Sequence, residues 1–327
     1  MRKKFFILIL FTSIAFIADL LLGSVTIPLN ELLSIFDAES QSIYKQILLN
    51  YRLPKAITAL HIGAALAVSG LLMQTLFKNP LAGPDVLGIN SGASLGVALL
   101  TLGGTAMPTL FSGPYAQIIA AILGATLILL LIIGASTKVH NTVSLLIVGV
   151  MFGYFTSSIV SVLQSFSNPD TLKLFVTWTF GSLSAVGWEE LKILSPLLLL
   201  SLLASSLLIK KLNIFLLGDQ YAKGLGVSVK QIRLFIIIIT ALLAGTATAF
   251  TGPIGFIGIT IPHITRGLFR TSNHKIILPA SILTGAAILL SCDIISQLPS
   301  LNATLPINAV TSLFGAPIVL WILIKKR

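Results

Sequence analysis

Apolar residues run in long blocks along this chain, and short polar stretches separate the blocks. A helix needs roughly 20 apolar residues to cross a bilayer core about 30 Å thick. The pattern therefore predicts one all-α, polytopic membrane domain over residues 1–327, with about ten membrane helices. The first block lacks an A-x-A-type cleavage site, so we interpret it as a retained helix rather than a signal peptide. The predicted spans are 5–22, 53–77, 86–102, 115–136, 143–165, 191–209, 231–251, 253–265, 277–297 and 305–324.

The segment 253–265 is too short to cross alone, because at about 1.5 Å per residue it covers only about 20 Å. Backbone groups exposed to hydrocarbon cost several kcal/mol each. We therefore expect this segment to lie inside the bundle, covered by other helices. Small residues at helical spacing predict where helices approach closely. They are Gly63, Ala67 and Gly70 in one span, and Gly245 with Ala249 in another.

The basic residues test the number of spans independently, because Lys and Arg are enriched in short cytoplasmic loops. Both chain ends are basic, at residues 2–4 and 325–327. Two cytoplasmic ends require an even number of crossings, and ten crossings also place Arg266, Arg270 and Lys275 inside. We therefore expect a multi-pass protein of the bacterial inner membrane, with both termini cytoplasmic.

Composition supports the bilayer as solvent, since 55% of residues are hydrophobic, 9% are charged and the mean hydropathy is +1.00. Soluble domains are roughly one-quarter charged. The net charge of +11 is spread in short groups between apolar runs, which argues against a nucleic-acid surface. Cys292 is the only cysteine, so an internal disulfide and a cysteine metal site are excluded.

Three segments break the apolar pattern with Gly, Pro and polar residues. The first runs from Arg52-Leu53-Pro54-Lys55 past Gln74 to 79–85, Asn-Pro-Leu-Ala-Gly-Pro-Asp. It is typical of a helix that leads into a re-entrant connection, where Gln74 and Asn79 would line a cavity. Asn79 and Asp85 fit the capping of helix ends equally well. Both interpretations stay open.

The second segment, about 213–230, is too polar to enter lipid and too long for a turn. We expect one or two short surface helices there, in contact with a soluble partner. Its motif residues are Asp219, Ala222, Leu225, Gly226 and Val227.

The third segment, 252–266, contains Gly255, Pro262, His263 and Arg266. The glycines form neither G-x-x-x-x-G-K-[ST] nor G-x-G-x-x-G, so we expect no nucleotide site in the chain. A lone histidine at a membrane boundary is usually a packing or hydrogen-bonding residue, and we expect neither a metal site nor a cofactor.

In this order the segments closely resemble the FecCD family, the permeases of ABC importers for ferric siderophores, haem and cobalamin. The resemblance covers nearly the whole chain. Its motifs are R-L-P-[RK] at 52–55, G-A-x-L-x-x-S-G-x-x-x-Q at 63–74, N-P-L-A-x-P at 79–84, L-G-x-x-x-G-A at 87–93, L-G-V at 225–227 and G-x-I-x-F-x-G-x-x-x-P-H-x-x-R at 252–266.

The resemblance implies the ten-helix architecture of a type II ABC importer permease, working as a dimer of this chain or with a paralogue. The translocation path would lie at the subunit interface. A separate cytoplasmic ATPase would dock on 213–230, so the chain itself is not expected to be an enzyme. Pro80, Gly255, Pro262, His263 and Arg266 would be structural motif residues.

The resemblance also implies that Arg52 and Lys55 receive acidic residues of an extracytoplasmic substrate-binding protein. The alternative is that both are interfacial anchors. The family usually has an arginine soon after the aspartate of the ninth helix, whereas Gln297 follows Asp293 here. That departure puts one docking contact in doubt.

Asn141 and Thr142, at the start of the fifth span, resemble the family's cytoplasmic gate. An N-cap at that position is the equally weighted alternative.

The resemblance implies import of a ferric siderophore, the commonest cargo of the family, with haem or cobalamin import as the alternative, because no residue of the sequence selects among them. A secondary transporter would need acidic or histidine relays within the spans, and His61 alone lies clearly inside one. A membrane enzyme would need paired carboxylates or a metal cluster, and the sequence shows neither pattern.

Overall fold

The computed structural model describes residues 1–23, 27–28, 43–103, 115–139, 141–297 and 304–325. Within these ranges the regular elements are all helical. The α-helices are α1 Arg2–Leu21, α2 Ile43–Ile47, α3 Leu53–Phe77, α4 Ile89–Leu102, α5 Ala116–Lys138, α6 Thr142–Ser165, α7 Pro169–Thr179, α8 Trp188–Leu207, α9 Ile209–Leu216, α10 Asp219–Gly224, α11 Val229–Thr251, α12 Ile257–Phe269, α13 His274–Ser296 and α14 Ile307–Lys325. A π-helical turn, Leu48–Arg52, joins α2 to α3, and 3-10 turns lie at Pro84–Leu87 and Leu183–Ala185.

A helix lies in each of the ten predicted spans, so the all-α polytopic fold is confirmed. Within the described ranges, seven helical stretches are long and apolar enough to cross a membrane, and the one that ends with α3 is 35 residues long. α4 and α12 fall short of that length, with 14 and 13 residues. The sequence did not predict α7, the short helix between the fifth and sixth spans.

α3 is the central helix of the bundle, because 83% of its most apolar window is buried. It packs against α11, α12 and α13. The corresponding fractions are 22% for α1, 28% for α5 and 17% for α6, so these helices are peripheral. Their outward faces are apolar, as expected for a surface in contact with lipid.

Glycines allow the closest helix contacts of α3. A methyl group at Gly63 would overlap the carbonyl of Gly285, and one at Gly70 would overlap Gly258. The predicted close approach is therefore confirmed at these two positions. At Gly245 an added methyl would meet Ile89 at 3.5 Å, an ordinary van der Waals distance, so the packing there does not require a glycine.

The short span is covered as predicted, but its helix begins only at Ile257. α12 packs against α3, α13 and α14. The non-helical stretch before it is held by α14, since the Gly255 amide donates a hydrogen bond of 3.0 Å to Asn308 Oδ1. Phe256 has a φ of 65°, an uncommon value for a bulky residue, and its Cβ lies over Gly315. Because Gly258 lies against Gly70 and the Leu66 carbonyl, the start of α12 is beside the middle of α3.

Two opposite faces of the bundle follow from contacts between helix ends. On one face, Lys4 Nζ donates to the carbonyl of Leu268 at 2.6 Å, which places the amino-terminal end beside the end of α12. Segment 213–230 lies on the same face, because its residue Asp219 contacts Lys78 at the end of α3. The segment contains the last turn of α9 and the whole of α10, which are the short helices predicted there. We call this face the coupling face, and the opposite face, which carries α7, the α7 face.

Candidate functional site

Four charged side chains meet near the α7 face, on α1, α3, α13 and the π-helical turn. Lys55 Nζ lies 2.5 Å from Asp293 Oδ2 and 3.8 Å from Asp19 Oδ1. The Arg52 guanidinium donates to the backbone carbonyls of Asp19, at 3.4 Å, and of Leu22. Two cations and two carboxylates therefore balance one another in this outer charge cluster.

Arg52 and Lys55 are buried rather than displayed on the surface, with exposed fractions of 5% and 4%. Contact with acidic residues of a binding protein would need accessible charges, whereas Asp19 and Asp293 of this chain already serve as counterions of Lys55. The docking role of both basic residues stays a prediction. Gln297, at the position of the missing arginine, donates to Asp293 Oδ1 at 3.1 Å.

A cavity of about 450 Å³ borders the outer charge cluster, and Asp293, Ser296 and Gln297 form part of its lining. The remaining lining comes from the chain just after α7 and just before α14. A second cavity of about 610 Å³ is lined by α7, α8 and the end of α11. Two cavities therefore open on the α7 face, one beside α7 and α8 and one beside α13 and α14.

Gln74 connects the first and third motif segments in the interior. Its Nε2 donates to the Ile259 carbonyl at 3.0 Å, and its Oε1 accepts from Arg266. Because Gln74 is only 4% exposed and uses both ends of its amide, it acts here as a bridge. Its predicted role in the translocation path is not tested by these contacts.

His263 fixes the re-entrant connection to α12. Its Nε2 donates to the Pro80 carbonyl at 2.6 Å. Asn79 Oδ1 accepts from the Leu81 amide at 2.9 Å, which closes a local turn after α3 rather than capping a helix, and the predicted path role of Asn79 stays a prediction. Pro262 is buried within α12.

The predicted gate residues lie at the start of α6. Asn141 Oδ1 accepts from the Val143 amide at 2.9 Å, so Asn141 is the N-cap of the helix, and Thr142 is its first residue. Asn141 is exposed, whereas Thr142 is half-buried. Capping is therefore observed, while the predicted gating role of both residues stays a prediction.

Asp219 ties the start of α10 to two membrane helices. It lies 2.7 Å from Lys78 Nζ at the end of α3, and 4.0 Å from the guanidinium of Arg233 in α11. Ala222, within α10, is fully buried, and its carbonyl accepts from the Val227 amide at 2.9 Å.

The tip of the predicted coupling segment points away from the bundle. Leu225 is 60% exposed, and Gly226 has a φ of 73°, which only glycine adopts without cost. An exposed apolar tip on a firmly held helix is suitable for contact with another subunit.

A second connection to the coupling segment was missed by sequence reasoning. His274, the first residue of α13, donates through its backbone amide to Asn213 Oδ1 at 2.8 Å, and its Nδ1 lies 3.0 Å from the same oxygen. Its Nε2 is hydrogen-bonded to Thr75 Oγ1 of α3 at 2.9 Å. The signal available in the sequence was a polar threonine near the end of an apolar span.

None of these clusters provides covalent chemistry. Among the described residues, there is no group of three or more His, Cys, Asp or Glu side chains that could hold a metal ion. His61, in the interior of α3, is hydrogen-bonded to the Ile57 carbonyl of its own helix at 2.9 Å.

The bundle combines ten apolar segments with buried polar contacts and with a surface helix, α10, that is anchored to the membrane helices. This combination is suited to a transporter, and comparison with protein families identifies the class. The model of the FecCD transport family matches residues 9–325. The chain belongs to the FecCD transport family.

Known relatives of this FecCD chain are permeases. Over 282 residues, 86% of this chain and 84% of the relative, it is 38% identical to the hemin transport system permease protein HmuU of Yersinia pestis. Over 327 residues, 100% of this chain and 95% of the relative, it is 36% identical to the vitamin B12 import system permease protein BtuC of Klebsiella pneumoniae subsp. pneumoniae.

A solved structure shows the same architecture. It is described as an ABC transporter of metal-chelate type in an inward-facing conformation. It has a TM-score of 0.86, 30% identity and 100% coverage of both chains. This FecCD chain is a membrane-spanning permease subunit of an ABC importer. Such permeases form dimers and work with separate ATPase subunits and substrate-binding proteins.

Proposed function

We propose that this permease imports a ferric chelate, with a ferric siderophore as the first candidate cargo. The cargo would pass between two permease chains, and an ATPase docked on residues 213–230 would drive the switch between outward- and inward-facing states. The α7 face would be extracytoplasmic and the coupling face, with both chain termini, cytoplasmic.

The observation that carries this proposal is the attachment of the coupling segment to the central helix at two points. Asp219 reaches Lys78, and Asn213 reaches Thr75 through His274. The two contacts reach Thr75 in the last turn of α3 and Lys78 directly after it. A push on α10 is therefore passed to the helix that most of the bundle packs around.

The choice of cargo is supported by the relatives and not by a residue of this chain. One relative is named for hemin transport and the solved structure for metal chelates, and both names describe chelated metals. The vitamin B12 relative supports the competing cargo, a corrinoid. Haem and cobalamin uptake are therefore measured beside ferric siderophore uptake in the same experiment.

The cargo is tested by uptake of labelled ferric siderophore, haem and cobalamin in cells that carry the complete importer, compared with a strain that lacks only this chain. We expect loss of ferric siderophore uptake alone. Selective loss of haem or cobalamin uptake would reassign the cargo and leave the permease identity intact.

Membrane orientation is supported by the concentration of Lys and Arg on the coupling face. In a Cys292→Ala background, which has no other cysteine, we would introduce Lys173→Cys in α7 and Lys223→Cys in α10. An impermeant maleimide should label position 173 in intact spheroplasts, and position 223 only after permeabilisation. The reverse pattern would invert the proposed orientation.

Coupling is tested with Asp219→Asn and Lys78→Met in the complete importer reconstituted in vesicles, with Lys210→Met as control. Lys210 is an exposed lysine on the same face for which no polar contact to the spans is seen. Loss of a coupling contact of 0.5–2 kcal/mol corresponds to about a 2- to 30-fold fall in cargo imported per ATP hydrolysed. Equal ratios in all four proteins would refute the proposed route.

A further inference from the structure

A cavity of about 220 Å³ lies on the coupling face between the end of α5, α10 and the start of α11. It is distinct from both cavities of the α7 face. Asp219, Lys223 and Lys230 of its wall belong to the segment 213–230, whereas the cavity itself has no role in the coupling route proposed above. Its position beside the coupling helix makes its chemistry relevant to transport.

The cavity is positively charged. Lys223, Lys230 and Arg233 line it, against a single carboxylate, that of Asp219. Asp219 is also neutralised from outside the cavity, because Lys78 Nζ lies 2.7 Å from its Oδ1. The lining therefore carries an excess of at least two positive charges, which favours an anionic ligand.

Arg233 is held in place by the fold, whereas Lys223 and Lys230 are exposed at the cavity. Arg233 is only 8% exposed, and its guanidinium donates to the Val139 carbonyl at 3.5 Å. Lys230 and its neighbour Val229 belong to the first turn of α11, a helix of 23 residues. Backbone amides and the helix dipole at such an end also favour an anion.

The wall on the α5 side indicates an amphiphile rather than a free anion. Ile133 and Leu234 form an apolar part of the lining, and Ser136 and Thr137 add hydroxyl groups near it. One turn before Ile133, Leu130 is 61% exposed on the outward face of α5. A ligand with its anionic end in the cavity would lay its apolar part along this face.

We propose that this cavity binds the phosphate headgroup of an anionic phospholipid, with the acyl chains along α5. Basic pockets between membrane helices on the cytoplasmic side favour such headgroups. The bound lipid would bridge α5, α10 and α11 and hold the coupling helix against the bundle. This inference rests on the proposed cytoplasmic orientation of the coupling face.

The test is native mass spectrometry of the intact importer, titrated with phosphatidylglycerol, phosphatidylcholine or inorganic phosphate. The test variant is Lys223→Gln/Lys230→Gln. The control is Lys210→Gln/Lys211→Gln, which removes the same charge from α9 outside the cavity lining. Each cavity lysine should contribute about fivefold to the preference for phosphatidylglycerol.

We expect wild type and control to prefer phosphatidylglycerol over phosphatidylcholine, and the cavity variant to lose that preference. An unchanged preference in the cavity variant would overturn the site. Binding of inorganic phosphate with no preference for phosphatidylglycerol would overturn the lipid assignment. Because binding is measured without transport, a wrong cargo or orientation would leave this result interpretable and would show instead in the uptake and labelling experiments.

Discussion

Lys55 and Asp293 form a buried ion pair, with Nζ 2.5 Å from Oδ2 and exposed side-chain fractions of 4% and 3%. The pair joins α3 to α13, and Asp19 of α1 lies 3.8 Å from the same ammonium group. Side chains of α1, α3 and α13 therefore meet at the Lys55 ammonium group near the α7 face.

The first prediction concerns the removal of either partner of this pair. Breaking a buried pair costs about 3–5 kcal/mol because the remaining charge is left uncompensated. Lys55→Met should destabilise more than Asp293→Asn, since it leaves two carboxylates together, whereas Asp293→Asn leaves Lys55 beside Asp19. Thermal unfolding of the purified permease in detergent measures both changes.

Lys192→Met is the matched control, because Lys192 and Glu189 form an exposed pair at 2.6 Å. Exposed pairs contribute at most about 1 kcal/mol. Equal and small shifts in melting temperature for all three substitutions would show that the outer charge cluster does not stabilise the folded permease.

The second prediction compares two glycines of α12. Gly258→Ala should destabilise the protein, because the new methyl group would meet Pro84 and the carbonyl of Leu66. Gly267→Ala, in the same helix, meets no atom within 4 Å and should gain about 0.5–1 kcal/mol from helix propensity. Opposite shifts in melting temperature are expected, and shifts of the same sign would contradict the close contact of α12 with α3.

The third prediction concerns Thr75, which links α3 to His274. Thr75→Val keeps the shape of the side chain but leaves the buried Nε2 of His274 without this bond, at a cost of about 1–3 kcal/mol. Cargo import per ATP hydrolysed should fall with it. Thr101→Val is the control, since among the described residues the Thr101 hydroxyl bonds the Val97 carbonyl of its own helix and no other helix. An equal import ratio for the two variants would exclude this route.

The fourth prediction is a double-mutant cycle on Gln74 and Arg266. Gln74→Leu leaves the half-buried guanidinium of Arg266 without this partner, and Arg266→Leu leaves the buried Oε1 of Gln74 without its partner. Residues in one hydrogen-bond network typically show interaction energies of about 0.5–3 kcal/mol. The double variant should therefore lose less stability than the sum of the two single variants. Strict additivity of the unfolding free energies would contradict the bridge between α3 and α12.

Membrane helices were the most predictable part of this chain, because hydrocarbon demands long apolar runs and leaves few alternatives. All ten predicted spans contain helices, including the short one at Ile257–Phe269. α7 was not predicted, since its 11 residues mix apolar side chains with Asp170 and Lys173 and resemble a loop. The sequence likewise did not predict the 3-10 turn at Pro84–Leu87.

The partners of the polar residues were much harder to predict than the residues themselves. Arg52, Lys55 and Gln74 stand out in an apolar helix, but their counterparts lie far away in sequence. Burial of Lys55 depends on two carboxylates from two other helices, and no local pattern records that arrangement. The Asn213–His274–Thr75 connection was missed for the same reason.

The distance along the chain between Gln74 and Arg266 also matters for how the permease is made. These two residues are 192 positions apart. At a synthesis rate of about 5–20 residues per second, α3 emerges from the ribosome about 10–40 s before α12 does. During that interval Gln74 lacks Ile259 and Arg266, its native partners in α12, so its side-chain amide stays unpaired within the bundle until α12 is inserted.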